Sequence, residues 1–190
     1  MRIISGKYRG RRFDPGSKFT ARPTTDQAKE SLFNILNNII DFEEVKVLDL
    51  FSGTGSISYE FASRGCKSID SVEMNQNHYN FIRSVIDTLK IDTISTIKAD
   101  AFKFIERNKK QYDLIFADPP FDLPNYDTLI EKILEGNLLT QDGLLIIEHS
   151  DKTNLDKFAA FLHSKRVYGK VCFSFFCKKK QFSCQNIWRK

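Results

Sequence analysis

The chain has 190 residues, a formal net charge of +5, 41% hydrophobic residues and 28% charged ones. That length suits a single α/β core that buries about 70% of the unfolded chain's surface, and leaves no room for a second. Without an apolar run long enough to span a bilayer, or a charged-then-apolar leader, neither a membrane helix nor a secretory signal is expected, and a cytoplasmic setting is. Cys66, Cys172, Cys177 and Cys184 lack a Cys-x-x-Cys pairing and His78, His149 and His163 are scattered, so reduced thiols and no metal site are expected.

In chain order, residues 1–22 come first, with seven cations against Asp14 alone, a net of +6. Ile3, Ile4, Tyr8 and Phe13 alternate with Arg2, Lys7, Arg9, Arg11 and Arg12 around Gly6 and Gly10, which predicts a small hairpin with one apolar and one cationic face. Thr24 with Gln27 forms a capping box for a helix whose Ala28, Leu32, Phe33, Leu36 and Ile39 share a face. Strand and helix then alternate. Strands are expected at 46–51, 68–72, 94–98, 113–117 and 143–148, and helices at 55–64, 75–89, 101–108, about 125–136 and about 154–164. This pattern predicts a parallel sheet with helices on both faces. Arg166 to Val167 and Val171 to Cys177 flank Gly169 too tightly for a crossover helix, so the sheet should end in antiparallel strands. The tail 178–190 adds five cations and no acid, which leaves a net −6 for residues 23–177. Basic ends on an acidic body suit a phosphate backbone, although solvated termini could show the same tally.

Candidate site residues gather where strands end. Lys46 to Phe51 runs into Ser52-Gly53-Thr54-Gly55-Ser56, a strand, a glycine turn and a helix, which is suited to close approach by a ligand. Ser58 stands where the dinucleotide fingerprint has its third glycine, so a nicotinamide-type site is not expected. Glu73 closes the second strand, where a carboxylate can hold both hydroxyls of a ribose. Asp100 follows the third strand, able to cap the next helix or to accept an adenine amino group. The fourth strand ends in Asp118-Pro119-Pro120-Phe121. Proline has no N–H and fixes its own φ, so this bend is stiff and its carbonyls can accept. Asp118 and the Pro119 carbonyl could each take one N–H of an exocyclic amine while Phe121 stacks on the base. Pro-Pro is also an ordinary way to stop a strand.

The order Asp49-x-Phe51-x-Gly53-x-Gly55, Glu73, Asp100-Ala101 and Asp118-Pro119-Pro120-Phe121 resembles the Rossmann-type S-adenosylmethionine-dependent methyltransferases that modify exocyclic amines. The opening Arg2-Ile3-Ile4-Ser5-Gly6-Lys7-Tyr8-Arg9-Gly10-Arg11, together with Arg22-Pro23-Thr24-Thr25-Asp26, resembles the small-subunit rRNA guanine-N2 methyltransferases of the RsmD type, over roughly residues 1 to 177. The resemblance implies a seven-stranded class I sheet of order 3-2-1-4-5-7-6 with its last strand antiparallel. It implies S-adenosylmethionine as methyl donor, held by Asp49, Phe51, Ser52, Gly53, Thr54, Gly55, Glu73, Met74, Asp100 and Ala101, with S-adenosylhomocysteine as product. Asp118, Pro119, Pro120 and Phe121 become the catalytic bend, and 16S rRNA within an assembling small subunit the substrate that Arg2, Lys7, Arg9, Arg11, Arg12 and Arg22 are expected to contact; a monomer is the simplest expectation. The tail 178–190 has no counterpart in it. An adenine-N6 or cytosine-N4 DNA methyltransferase would use the same bend but needs a target-recognition region for which the chain has no room. A binding module that had lost catalysis would be expected to show damage at Asp49, Gly53, Gly55 or Asp118, and all four are intact.

Overall fold

The computed structural model describes residues 1–16, 25–120 and 122–178, so expectations placed on Arg22, Pro23, Thr24, Phe121 and the tail from Lys179 lie outside the described residues. Seven strands form one sheet: β1 (Lys46–Leu50), β2 (Ser68–Glu73), β3 (Ile94–Lys98), β4 (Tyr112–Ala117), β5 (Leu139–Ser150), β6 (Leu162–Tyr168) and β7 (Val171–Cys177). The strand order is β3-β2-β1-β4-β5-β7-β6, as the resemblance implies. The first five strands pair in parallel, and β7 is antiparallel to both β5 and β6. Helices α1 (Asp26–Ile39), α2 (Ser56–Ser63), α3 (Gln76–Leu89), α4 (Ala101–Arg107) and α5 (Tyr126–Glu135) complete the architecture. Among the described residues no helix is long and apolar enough to cross a membrane.

Two apolar layers sandwich the sheet, and strand alternation decides which residue joins which. Val47, Ile69, Phe116 and Ile146 join Leu32, Phe33, Leu36 and Phe61 on one face. Leu48, Ile115, Ala117 and Ile147 join Leu129, Ile130 and Ile133 on the other. Each large side chain fully buried in these layers stabilises the fold by about 1.5 to 3 kcal/mol. Both layers end where the parallel strands end, and there the chain opens.

Three expectations about elements are corrected. No helix covers 154–164: a 3-10 turn at Asp156–Phe158 leads into β6, which begins at Leu162. Leu155, Phe158 and Leu162 are spaced as on a helix, but β7 has to be paired along its outer edge, and the hairpin about Gly169 carries β6 back alongside it. Strand β5 starts at Leu139, because the ladder shifts register between Tyr112 and Leu114 and absorbs the turn-like Thr140-Gln141-Asp142-Gly143 as an irregularity. The helix α1 is capped by Thr25, whose hydroxyl accepts from Ala28 N at 3.2 Å, one residue beyond the expected cap position.

The N-terminal segment forms the expected hairpin in a minimal form. Arg2 and Arg12 bridge antiparallel, with Ile3 N donating to Arg11 O at 3.0 Å and Gly10 N to Ile3 O at 2.8 Å. Ile3 and Tyr8 are buried, while Arg2, Lys7, Arg9, Arg11 and Arg12 are exposed, giving the two faces that the sequence predicts.

Candidate active site

The parallel strands β1, β2, β3, β4 and β5 deliver their C-terminal ends to one cleft of about 1260 Å³. Ligands in open α/β sheets bind at this edge, outside the carboxyl ends of the strands. The cleft takes in the turn after β1, the ends of β2 and β3, the bend after β4, Glu148 on β5, the first residues of α1 and the β6–β7 turn.

After β1 the backbone turns sharply. Phe51 sits at φ 60°, a left-handed conformation that a non-glycine residue holds only when its surroundings impose it. The two glycines that follow serve different ends. At Gly53 (φ 55°) an added Cβ would meet only Phe51 O, at 3.9 Å, and the Gly53 amide donates to Glu73 Oε2 at 2.8 Å. At Gly55 (φ 78°) a Cβ would come within 2.6 Å of the buried Tyr59 hydroxyl. Gly53 therefore borders the cleft, whereas Gly55 lets α2 start tight against its own first turn and does not line the cleft.

Asp49 lies beneath this turn, 1% exposed, with one carboxylate oxygen accepting from the Ser58 hydroxyl. Burial pushes its carboxyl from 3.8 up to about 7, against the lowering effect of the Ser58 and Ser52 hydrogen bonds. Ser58, which stands where the dinucleotide fingerprint has glycine, thus has a task of its own. Glu73 is fixed through both oxygens, Oε2 accepting from Gly53 and Oε1 from Asn75 N at 2.7 Å. A carboxylate has about four acceptor sites, so two remain for hydroxyl donors. Asp100 caps α4, accepting from Lys103 N at 3.0 Å through Oδ1, and also lines the cleft. The capping and binding readings of Asp100 are compatible. Beside them Met74, an apolar side chain, is 65% exposed and also lines the cleft.

At the end of β4, Asp118 is half-buried, Pro119 buried and Pro120 exposed, all three in the cleft. The Pro120 carbonyl accepts from Leu123 N at 3.0 Å and closes the bend. Burial, then the neighbouring Glu148, then Asp49 raise the Asp118 carboxyl well above the usual carboxylate range. Glu148 is a site residue that the sequence reading missed. Its signal was present: Leu144-Leu145-Ile146-Ile147 runs into an acid as Leu114-Ile115-Phe116-Ala117 does. Asp151, Lys152, Tyr168 and Lys170 also line the cleft and were likewise not foreseen.

Among the described residues the arm cations do not line the cleft. Arg2 pairs with Asp26 at 3.8 Å, and Asp26 opens α1, whose Thr25, Gln27 and Ala28 form part of the cleft wall.

The sheet order, the lone antiparallel β7 and an acid at each of the first four strand ends define a Rossmann-like class I methyltransferase fold. A family model described as conserved hypothetical protein 95 matches residues 1–177. The ribosomal RNA small subunit methyltransferase D of Buchnera aphidicola subsp. Baizongia pistaciae is 32% identical over 157 residues, 81% of this chain and 78% of that protein. The chain belongs to this family, the RsmD methyltransferases. Among solved structures, a putative methyltransferase, yhhF from Escherichia coli, superposes with a TM-score of 0.84 at 27% identity over 95% of this chain and 99% of that one. A more distant putative methyltransferase, solved as a complex with SAH, shares the fold at a TM-score of 0.62 and 19% identity over 78% of this chain and 48% of that one.

Proposed function

We propose that the protein transfers the methyl group of S-adenosylmethionine to the exocyclic N2 amine of a guanine in small-subunit rRNA. The observation that carries this reading is the meeting, in one cleft, of a nucleoside-type set (Gly53, Glu73, Met74, Asp100) and a rigid amine-accepting bend (Asp118, Pro119). The residues suit the methyl donor. Six acids line the cleft against Lys152, Lys170 and His78, and a sulfonium that also carries an ammonium group is a cation. Glu73 would hold the ribose hydroxyls, Asp100 the adenine amine, Met74 the adenine face, and Asp49 the turn against which the amino-acid end lies.

When bound, the donor supplies an electrophilic methyl on a positively charged sulfur. The chain's own residues supply orientation and charge. The guanine N2 lone pair is conjugated with the ring, so the amine is a weak nucleophile until its hydrogens are held and the lone pair is turned outward. Asp118 and the Pro119 carbonyl accept those two N–H bonds and stabilise the positive charge that grows on nitrogen. Loss of one preorganised partner of this kind raises a barrier by about 3 to 4 kcal/mol, and alignment contributes several more. Asp118 need not be a strong base, because the proton becomes acidic only as the new N–C bond forms. The raised Asp118 carboxyl is drawn back toward ionisation by a cation placed beside it.

The base must leave its stack to enter, at a few kcal/mol. Stacking on Phe121, which lies outside the described residues, would offset about 1 to 3 kcal/mol of that. The exposed cations of residues 1–16 would hold the RNA backbone beside the cleft. Methyl transfer from labelled S-adenosylmethionine is to be compared on naked 16S rRNA, partly assembled small subunits and duplex DNA, with nucleosides identified by mass. N2-methylguanosine in rRNA is expected, and label in DNA alone overturns the reading.

A further inference from the structure

We propose that Glu148 accepts the N1–H of the target base, and that it makes the cleft select guanine among purines bearing the same 2-amino group. This rests on the guanine-N2 reading above and adds to it a residue that chooses the base.

The placement comes from the sheet. Strands β4 and β5 pair in parallel with Ala117 opposite Ile147, so Asp118 and Glu148, the next residues along, stand side by side on neighbouring strand ends. Alternation puts both on the face of Phe116 and Ile146, away from Ala117 and Ile147. Both line the cleft, and Glu148 is 4% exposed. Its backbone is held from two sides: its carbonyl accepts from the Tyr126 hydroxyl at 2.9 Å, and it is in register with Phe173 of β7. Glu148 is the leading charge that raises Asp118, which fits the nearness that the register gives the two side chains.

The chemistry of the base completes the argument. Guanine presents two adjacent kinds of donor on its Watson–Crick edge, the N2 amine and N1–H. Beside a base whose amine is seated on Asp118 and Pro119, the end of β5 brings Glu148 to N1 when the Watson–Crick edge lies along the β4–β5 side. A carboxylate there accepts N1–H from guanine and has nothing to donate to the bare N1 of adenine or 2,6-diaminopurine. Two acceptors brought together repel, and a site built to hydrogen-bond one group rejects the analogue that lacks it by far more than a missing methylene would allow.

The discriminating pair is guanine and 2,6-diaminopurine, which share the 2-amino group and differ at N1 and C6. Small subunits reconstituted on 16S rRNA carrying one or the other at the modified position are methylated with wild type, Glu148→Gln and Glu148→Asp. Wild type is expected to prefer guanine by about 100-fold or more. Glu148→Gln is expected to bind S-adenosylhomocysteine as wild type does, to lose about 10- to 100-fold in kcat/KM on guanine, and to bring the guanine preference to within about tenfold of unity, because its amide can donate to a bare N1. Glu148→Asp keeps the preference at a lower rate. Should Glu148→Gln turn over neither substrate, the ratio of its affinities for the two particles in the presence of S-adenosylhomocysteine carries the same prediction. A guanine preference in Glu148→Gln equal to that of wild type overturns the assignment. Wild type that leaves guanine N2 unmethylated on every rRNA particle overturns the guanine reading first, and this inference with it.

Discussion

Burial raises two of the cleft's carboxyls, Asp49 and Asp118. Asp118→Ala should reduce methyl transfer by about 10² to 10³ with little change in S-adenosylmethionine affinity, since on the proposed reading it would touch the acceptor amine rather than the donor. Glu73→Ala should weaken donor binding first, because it removes the hydroxyl acceptor and also leaves the Gly53 and Asn75 amides without their partner. Calorimetric titration with S-adenosylhomocysteine, beside single-turnover rates, separates the two. Asp49 gives a pH signature in the ligand-free protein. Its carboxyl is raised from 3.8 to about 7, so between those values the folded state retains a proton that the unfolded chain has released. Stability attributable to Asp49 is therefore full below about pH 4 and is lost as the pH rises to about 7, by an amount on the order of 4 kcal/mol. Asp49→Asn removes the titration. Its melting temperature should gain on wild type between pH 5 and pH 8, while donor binding falls; melting curves that keep the same spacing at both pH values would contradict this account.

At the scale of elements, the N-terminal arm is fastened to α2 by backbone contact and a buried ion cluster. Lys7 N donates to Ser63 O at 2.7 Å, Tyr8 N to Ser63 Oγ at 3.0 Å, and Ile4 N to Glu60 Oε1 at 2.7 Å. Glu60 is fully buried between Arg64 and Lys29, with Lys29 Nζ 3.2 Å from Glu60 Oε1 and donating to Arg2 O at 2.6 Å. Gly6 (φ 81°) sits so close that an added Cβ would fall 1.8 Å from Ser63 O. Gly6→Ala should cost about 2 to 4 kcal/mol, from left-handed strain and overpacking together. Glu60→Ala, which strands two buried cations, should cost about 3 to 5 kcal/mol. For a chain of this size that lowers Tm by on the order of 10 °C, readable by calorimetry. The arm also shows what was legible in the sequence. Its two faces followed from alternation of Ile3, Tyr8 and the cations, but the need for Gly6 did not, because only the docked geometry brings Ser63 to it. Periodicity placed β1 to β4, α3 and β7 closely, since each buries one side against a neighbour that its own pattern implies. It failed at 154–164, where the apolar spacing is helical and the deciding interaction is pairing with β7, remote in the chain. Glu73 was visible by its spacing from the glycine turn and Asp100 by its place between a strand and a helix, while Asp118 follows an apolar run. Glu148 follows one too, but its importance depends on the β4–β5 register, which no local pattern states.

The whole molecule is a segregated charge distribution: residues 1–22 carry a net +6 and residues 23–177 a net −6, within a chain of net +5. The structure puts the two signs next to each other, since the cationic face of the arm adjoins α1, whose first turn borders the acid-lined cleft. On the proposed reading an RNA backbone would be drawn to the arm and repelled by the unliganded cleft, so the polyanion should settle on the arm while a single base reaches inward. A cation in the cleft should ease that last step. Each phosphate met by an arm cation releases counterions and contributes about 0.7 to the slope of log affinity against log salt for single-stranded RNA. Replacing Lys7, Arg9, Arg11 and Arg12 with glutamine, all four exposed and clear of the Glu60 cluster, should therefore flatten that slope by about 3. Binding of S-adenosylhomocysteine should be unaffected. The measurement is fluorescence anisotropy of labelled rRNA fragments across a salt series. An unchanged slope in the fourfold variant would move the phosphate contacts off these four residues, with Lys152 and Lys170, exposed cations that line the cleft, the next to test.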